Sequence, residues 1–127
     1  MLIRYLTATL LIVLCTHSCS RPAVFGEDIN DATQSVSVSE ARQLRNRGRT
    51  VIVRGTLANV CQEEGCNFAL VDDSSEIITR FIEEGVGIPI TSTGTVLVKG
   101  TVVDTVISNT HVPAIQARGV KFVDLHP

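Results

Sequence analysis

Two cysteines near the middle of the chain, Cys61 and Cys66, are the side chains with the most specific chemistry in this sequence. Four residues separate them, a spacing that a disulfide can close, and a close cysteine pair in an oxidising compartment is usually oxidised. Thiolates also bind soft metal ions such as Cu(I) and Zn(II), with imidazole as a common further ligand. The pair therefore predicts either a disulfide, which could be redox-active, or a copper or zinc site with His111 as third ligand.

Positive charge is densest in a run of five arginines, which are Arg42, Arg45, Arg47, Arg49 and Arg54. A basic patch of this kind could contact anionic lipid headgroups or nucleic acid. The alternative interpretation is a solvated helix face and strand edge whose guanidinium groups pair with nearby acids. Both interpretations stay open from the sequence.

Composition and motifs argue against two classes of function. The chain has a formal net charge of −2 and only 4% aromatic residues, whereas binders of single-stranded nucleic acid combine basic grooves with aromatic stacking platforms. The sequence contains no glycine-rich phosphate loop, no Ser-His-Asp constellation and no His-Glu-x-x-His motif. We therefore expect neither a nucleic-acid partner nor an enzyme.

The N-terminal segment has the pattern of a bacterial secretion signal. Arg4 precedes an apolar stretch from Leu6 to Cys15, which is too short to span a bilayer. The residues that lead into Cys19 resemble a lipobox, in which the cysteine is lipidated and becomes the new N-terminus. We expect a signal peptide over 1–18, a lipidated Cys19 with a flexible tether over 19–36, and a membrane-anchored lipoprotein facing the periplasm. Ordinary cleavage with secretion of a soluble protein is the alternative.

The elements that must position the cysteines begin with a short helix and a long strand. Ser39 has the properties of an N-cap, and Gly48 is a natural stop. Thr50–Leu57 then alternates with period two, and Thr95–Val102 repeats the same pattern, T-V-[I/L]-V-[R/K]-G-T-[L/V]. A glycine at the same point of two long strands predicts the sharp bend that barrel curvature requires.

Three shorter strands complete the prediction, at Asn67–Val71, Glu76–Ile82 and about Ala114–Val123, with a turn at 72–75 between the first two. Five strands with the first and fourth long and bent predict an all-β, five-stranded OB-type Greek-key barrel with one short N-terminal helix, over 37–127. A small open sandwich is the alternative. In such a barrel we expect the loop at 60–67 and the loop at 107–113 to share one pole, which would bring His111 to the two cysteines.

Several segments resemble known bacterial proteins. Val38–Ala41, Val51–Leu57 and Phe68–Asp73 resemble the helix, first strand and hairpin of periplasmic bacterial OB-fold proteins. Val60–Cys66, V-C-Q-E-E-G-C, resembles a family of exported bacterial domains of unknown function whose signature is V-C-x3-G-C-W. This chain has Asn67 where that family has tryptophan. The resemblance implies an OB fold and export, and it implies no activity.

These observations together predict a non-enzymatic periplasmic binding module on a lipoprotein anchor. Its ligand, a small molecule or an envelope protein, would meet the pole built from 60–67 and 107–113. One alternative is a soft-metal or thiol-redox protein that works through Cys61 and Cys66. The other is a structural interaction domain of the cell envelope.

Overall fold

The computed structural model describes residues 23–30 and 34–123. The signal peptide and the lipidation of Cys19 were predicted for residues that lie outside the described ranges. Across those described ranges, no helix is both long and apolar enough to cross a bilayer.

Strands dominate the described chain, and helix is nearly absent from it. The strands and the helix are β1 (Val24–Gly26), β2 (Val36–Ser37), α1 (Val38–Ala41), β3 (Thr50–Ala58), β4 (Asn67–Val71), β5 (Glu76–Phe81), β6 (Thr95–Ile107) and β7 (Thr110–Phe122). A single 3-10 turn, Leu44–Asn46, follows α1.

The five longer strands close into one barrel. β3 pairs antiparallel with both β4 and β6, β4 pairs with β5, β6 pairs with β7, and a parallel pairing of β5 with β7 completes the circle. The order β3-β4-β5-β7-β6 around the barrel is that of the OB-type Greek key. The prediction of a small five-stranded OB-type barrel with one short N-terminal helix is therefore confirmed.

Alternating apolar residues fill the barrel, as the period-two pattern of the sequence predicts. Leu70, Ile77, Val98, Ile115 and Phe122 are completely buried. The register between β6 and β7 shifts between Lys99 and Gly100, where β7 has one extra residue, Arg118, opposite the glycine that the two long strands share in their sequence pattern.

The N-cap of the short helix lies two residues before the predicted one. Ser37 is its N-cap, and the Ser37 hydroxyl accepts the Glu40 N–H at 3.1 Å. Ser39, the predicted cap, is inside the helix, where its N–H and hydroxyl both donate to Asp72. The same Asp72 carboxylate accepts two N–H groups of its own turn, so one side chain holds the helix against the β4–β5 hairpin.

The predicted tether over 19–36 is wrong for residues 23–30. β1 pairs antiparallel with β7, Phe25 packs edge-on against Phe122, and Ile29 is only 2% exposed. Lys99 donates to Glu27 at 2.6 Å, and this contact lowers the pKa of the Glu27 carboxyl. Burial of two apolar side chains in an otherwise polar segment is what turns these residues into part of the domain.

The last hairpin is longer and tighter than predicted. Only Ser108 and Asn109 form its turn, both with positive φ, as a two-residue turn between twisted strands requires. The predicted loop over 108–113 is therefore mostly strand. His111 lies on β7 opposite Val106.

Candidate functional site

Cys61 and Cys66 lie on a compact turn between β3 and β4. The Cys61 N–H donates to the Asn67 carbonyl at 2.8 Å, and the Gly65 N–H donates to the Cys61 carbonyl at 3.0 Å. These two bonds close the turn, so both cysteines sit on a single loop of backbone. Both are free thiols and half-buried, and the disulfide stays a prediction.

The sulfur of Cys61 is surrounded by backbone donors. The N–H groups of Glu64 and Glu63 lower the pKa of the Cys61 thiol, and the Gly65 N–H adds to them; desolvation and the Glu63 charge partly oppose this. A thiolate in such a pocket of N–H groups is stabilised as an anion is in a backbone nest. Because the thiolate is the form that attacks disulfides and binds metals, this environment favours reaction at the Cys61 sulfur.

Cys66 has a different environment. Its sulfur lies 3.8 Å from the Glu64 carboxylate, to which the thiol can donate. Its carbonyl accepts the Phe81 N–H at 3.1 Å, which fixes Cys66 beside the end of β5. The two sulfurs of one turn thus face opposite kinds of group, donors at Cys61 and a carboxylate at Cys66.

Two glycines let this turn pack directly on the segment after β5. The Ile88 N–H donates to the Gly65 carbonyl at 3.0 Å. A Cβ on Gly65, which has φ +64°, would lie 1.9 Å from the Ile88 carbonyl oxygen, and a Cβ on Gly87 would lie 2.5 Å from the Glu64 carbonyl oxygen. No other residue type allows backbones to approach this closely, so the glycines join the turn and the segment 85–88 into one structure.

A cleft of about 890 Å³ lies next to this junction. Arg80 and Gln116 line it from β5 and β7, where they are paired neighbours that point outward from the barrel. The remaining lining residues come from the cysteine turn and from the segment after β5: Glu64, Cys66, Phe81, Ile82, Glu83, Glu84, Gly85 and Val86. Three carboxylates against one guanidinium make the lining acidic, which favours a cationic ligand.

The sequence prediction covered only one side of this cleft. It included Cys66 but missed the opposite wall, 82–86. The run Glu83-Glu84-Gly85 directly after an alternating strand was the available signal, because it marks an exposed acidic break at the end of that strand.

His111 is not part of the site. Cys66 accepts the Phe81 N–H, and Phe81 is paired with Ala117 on β7, so Cys66 lies near the level of Ala117. His111 lies six residues before Ala117 on the same strand. At about 3.3 Å per residue this separation is roughly 20 Å. The expectation of a shared pole is therefore wrong, because β7 begins at Thr110 and carries His111 toward the far end of the barrel.

The three-ligand metal hypothesis fails with that geometry. Within 23–30 and 34–123, the structure contains no group of three or more His, Cys, Asp or Glu side chains that could hold a metal ion. A copper or zinc site made of Cys61, Cys66 and His111 thus has no geometric support.

The arginine run is divided between contacts and solvent. Arg47 forms an ion pair with Asp104 at 2.6 Å and also donates to the Arg42 carbonyl, while Arg42 donates to the Glu76 carbonyl. These two side chains join the helical region to β5 and β6. Arg45, Arg49 and Arg54 are exposed. Arg42 is exposed as well and Arg47 is half-buried, so the basic patch of these five arginines stays a prediction.

The sequence matches no protein-family model and no curated protein. Its fold has a solved counterpart. A protein from Leishmania major Friedlin that is assigned as an aspartyl-tRNA synthetase superimposes with a TM-score of 0.58 at 17% identity. The match covers 74% of this chain and 21% of that chain, so this chain spans about a fifth of the other's length. A likeness at this identity shows the fold alone, an OB-type barrel.

Proposed function

We propose that this protein is a non-enzymatic binding module that takes a small cationic ligand in the cleft between the cysteine turn and 82–86. The observation that carries the proposal is the cleft itself, whose volume of about 890 Å³ is within the range of ligand pockets. Its walls are held by the backbone contact of Gly65 with Ile88, so the site exists before a ligand arrives. Preformed walls reduce the entropy that binding must cost.

The charges around the cleft decide the ligand class. Glu64, Glu83 and Glu84 outnumber Arg80 among the lining residues, and Glu63 adds a further exposed carboxylate beside them. Aromatic platforms for nucleobases are missing from the described part of the chain. Three of the four phenylalanines there are buried, and Phe25 is half-buried against Phe122. Both features favour a small cation as the ligand. They argue against nucleic acid, which is the substrate class that the name of the solved counterpart suggests.

Export and anchoring belong to the same proposal. Support for them comes from the sequence of residues 1–22, with Arg4, the apolar stretch and Cys19. Mass spectrometry of the protein from the native membrane fraction tests them, because it reports the cleavage site and the acyl mass on Cys19 together. An unmodified soluble form that begins at another residue would contradict the anchor.

Titration with spermidine tests the cleft. We expect saturable binding at low ionic strength that weakens as salt is added, since salt screens exposed charges. The double variant Glu83→Gln/Glu84→Gln should bind about fivefold more weakly, in line with about 1 kcal/mol for two exposed charge contacts. Glu76→Gln is the matched control, because Glu76 is an exposed carboxylate on β5 outside the cleft.

Two results would contradict this function. The first is the absence of spermidine binding to the wild-type protein. The second is equal weakening per charge removed, so that Glu76→Gln gives half the change in binding free energy of the double variant, which would show that only overall charge matters. Crosslinking of the cleft face to an envelope protein without spermidine binding would instead favour the structural interaction domain.

A further inference from the structure

We propose that Cys61 and Cys66 form a thiol–disulfide exchange site that reacts with small cationic disulfides entering the acidic cleft. This inference rests on the proposed function, because the cleft must admit the cation before the sulfur chemistry can occur. It assigns a reaction to a pair of thiols that simple ligand binding would not use.

The first argument is the geometry of the turn. A disulfide requires Cα atoms within about 7 Å of each other. The bond from the Cys61 N–H to the Asn67 carbonyl holds Cys61 across the turn from Asn67, the direct neighbour of Cys66, and the Gly65–Cys61 bond tightens the same loop. Cys66 in turn lines the cleft. Cys61 lies on the same turn outside that lining, so an internal disulfide would join the edge of the cleft to its wall.

The second argument is the difference between the two sulfurs. Backbone N–H groups of residues 63–65 lower the pKa of the Cys61 thiol, so it supplies the attacking thiolate. Cys66 lies on the same turn, with its sulfur 3.8 Å from the Glu64 carboxylate, to which its thiol can donate. An attacking thiolate with a second thiol on the same turn is the arrangement that an attacking and a resolving cysteine need.

The chemistry is a two-step exchange. The Cys61 thiolate attacks one sulfur of the substrate R–S–S–R, which forms a Cys61–S–S–R bond, breaks the substrate S–S bond and releases RS⁻. Cys66 then loses its proton to solvent and attacks the Cys61 sulfur, which forms the Cys61–Cys66 disulfide and releases the second RS⁻. Two protein thiols are oxidised and one substrate disulfide is reduced to two thiols. A dithiol reverses both steps.

A pair of matched probes tests the reaction. Cystamine is a disulfide that carries two ammonium groups, and 3,3′-dithiodipropionate is a disulfide that carries two carboxylates. Both cysteines fall in one tryptic peptide, Gly55–Arg80, so mass spectrometry of this peptide separates the dithiol, the mixed disulfide and the internal disulfide.

We expect cystamine to oxidise the pair roughly tenfold faster than the dianion does at low salt, because the acidic cleft concentrates the cation. Glu83→Gln/Glu84→Gln should reduce this ratio, whereas Glu76→Gln should leave it unchanged. Cys66→Ser should stop at the mixed disulfide on Cys61. Cys61→Ser should react about tenfold more slowly, because the sulfur with the lowered pKa is gone.

Three results would overturn the exchange site: no internal disulfide in the wild-type protein, equal rates with both probes, or Cys61→Ser reacting as fast as the wild type. Spermidine binding to the reduced wild-type protein, measured in parallel, separates this failure from failure of the proposed function. Retained binding with failed exchange rejects only the exchange site. If the wild-type protein does not bind spermidine, both the exchange site and the proposed function are rejected.

Discussion

The two ends of this barrel are built in different ways. At the cysteine end, the turn at 61–66 is closed locally by Asn67 and is held by long-range backbone contacts with Ile88 and Phe81. At the other end, the tip of the β6–β7 hairpin is formed by pairing of these two strands, and the side chains of Val106 and Ile107 are 58% and 44% exposed. The cysteine turn is thus held in place by segments that are distant in sequence, whereas the hairpin tip is held only by its own turn and strand pairing.

The largest expected effect comes from Gly65. Gly65→Ala puts a methyl group 1.9 Å from the Ile88 carbonyl oxygen at a positive φ, so we expect a loss of about 3 kcal/mol or more in the free energy of unfolding. Gly48→Ala is the matched control, because Gly48 also has a positive φ but nothing within 4 Å, and should cost about 1 kcal/mol. Urea unfolding compares the two. Equal losses would mean that the contact with Ile88 does not hold the cysteine end together.

The next effect concerns a buried hydroxyl between the two ends. Thr79 on β5 is fully buried, and its Oγ1 has no hydrogen-bond partner. Thr79→Val removes this unsatisfied group while keeping the shape, so the free energy of unfolding should rise by about 1 kcal/mol. Thr79→Ser keeps the hydroxyl and loses a methyl group, so it should destabilise. Destabilisation by valine would indicate a polar contact that the barrel makes in solution.

Acid should weaken the end of the barrel away from the cysteines through Asp72. The N–H groups of Ser39, Ser74 and Ser75 lower the pKa of the Asp72 carboxyl in the folded protein. Its contribution is therefore fully present above the unfolded pKa of about 3.9 and is lost as pH falls through the lower folded value. Asp72→Asn should flatten this acid dependence of the unfolding midpoint. If the slope of the unfolding midpoint against pH below pH 4 were the same in Asp72→Asn as in the wild type, the assignment to Asp72 would be wrong. Asp73→Asn is the control, because Asp73 is an exposed residue of the same turn.

The smallest expected effect is at His111. This residue is exposed on β7, roughly 20 Å along the strand from the cysteine end. His111→Ala should change the free energy of unfolding by less than about 0.5 kcal/mol. It should also leave the rate of Cys61 oxidation by cystamine unchanged. A slower rate of Cys61 oxidation in this variant would support the hypothesis that His111 and the cysteines share one site.

Local patterns were enough to predict most of the barrel. Thr50–Ala58 and Glu76–Phe81 alternate clearly, and the turn between β4 and β5 carries the aspartate and serines that close it. Elements held by distant contacts were missed. β1 has only three residues, and its position depends on pairing with β7, about 95 residues later in sequence. No local pattern encodes such a partner.

The candidate site was predictable only in part for the same reason. The spacing of Cys61 and Cys66 indicated a shared turn, and the structure places them on one. The position of His111 depended on whether the last connection was a six-residue loop or a two-residue turn, a choice made by the positive φ of Ser108 and Asn109. The acidic wall at 82–86 becomes part of the site only through backbone packing on Gly65.

The pairing of β1 with β7 also limits how far the domain can travel. With the proposed lipid on Cys19, only residues 20–23 separate the acyl-bearing residue from the first paired strand at Val24. Five fully extended steps reach about 17 Å, less than the diameter of the barrel domain itself. With that lipid in place, a linker this short would hold the domain at the bilayer surface, and the proposed ligand would have to reach the membrane to enter the cleft.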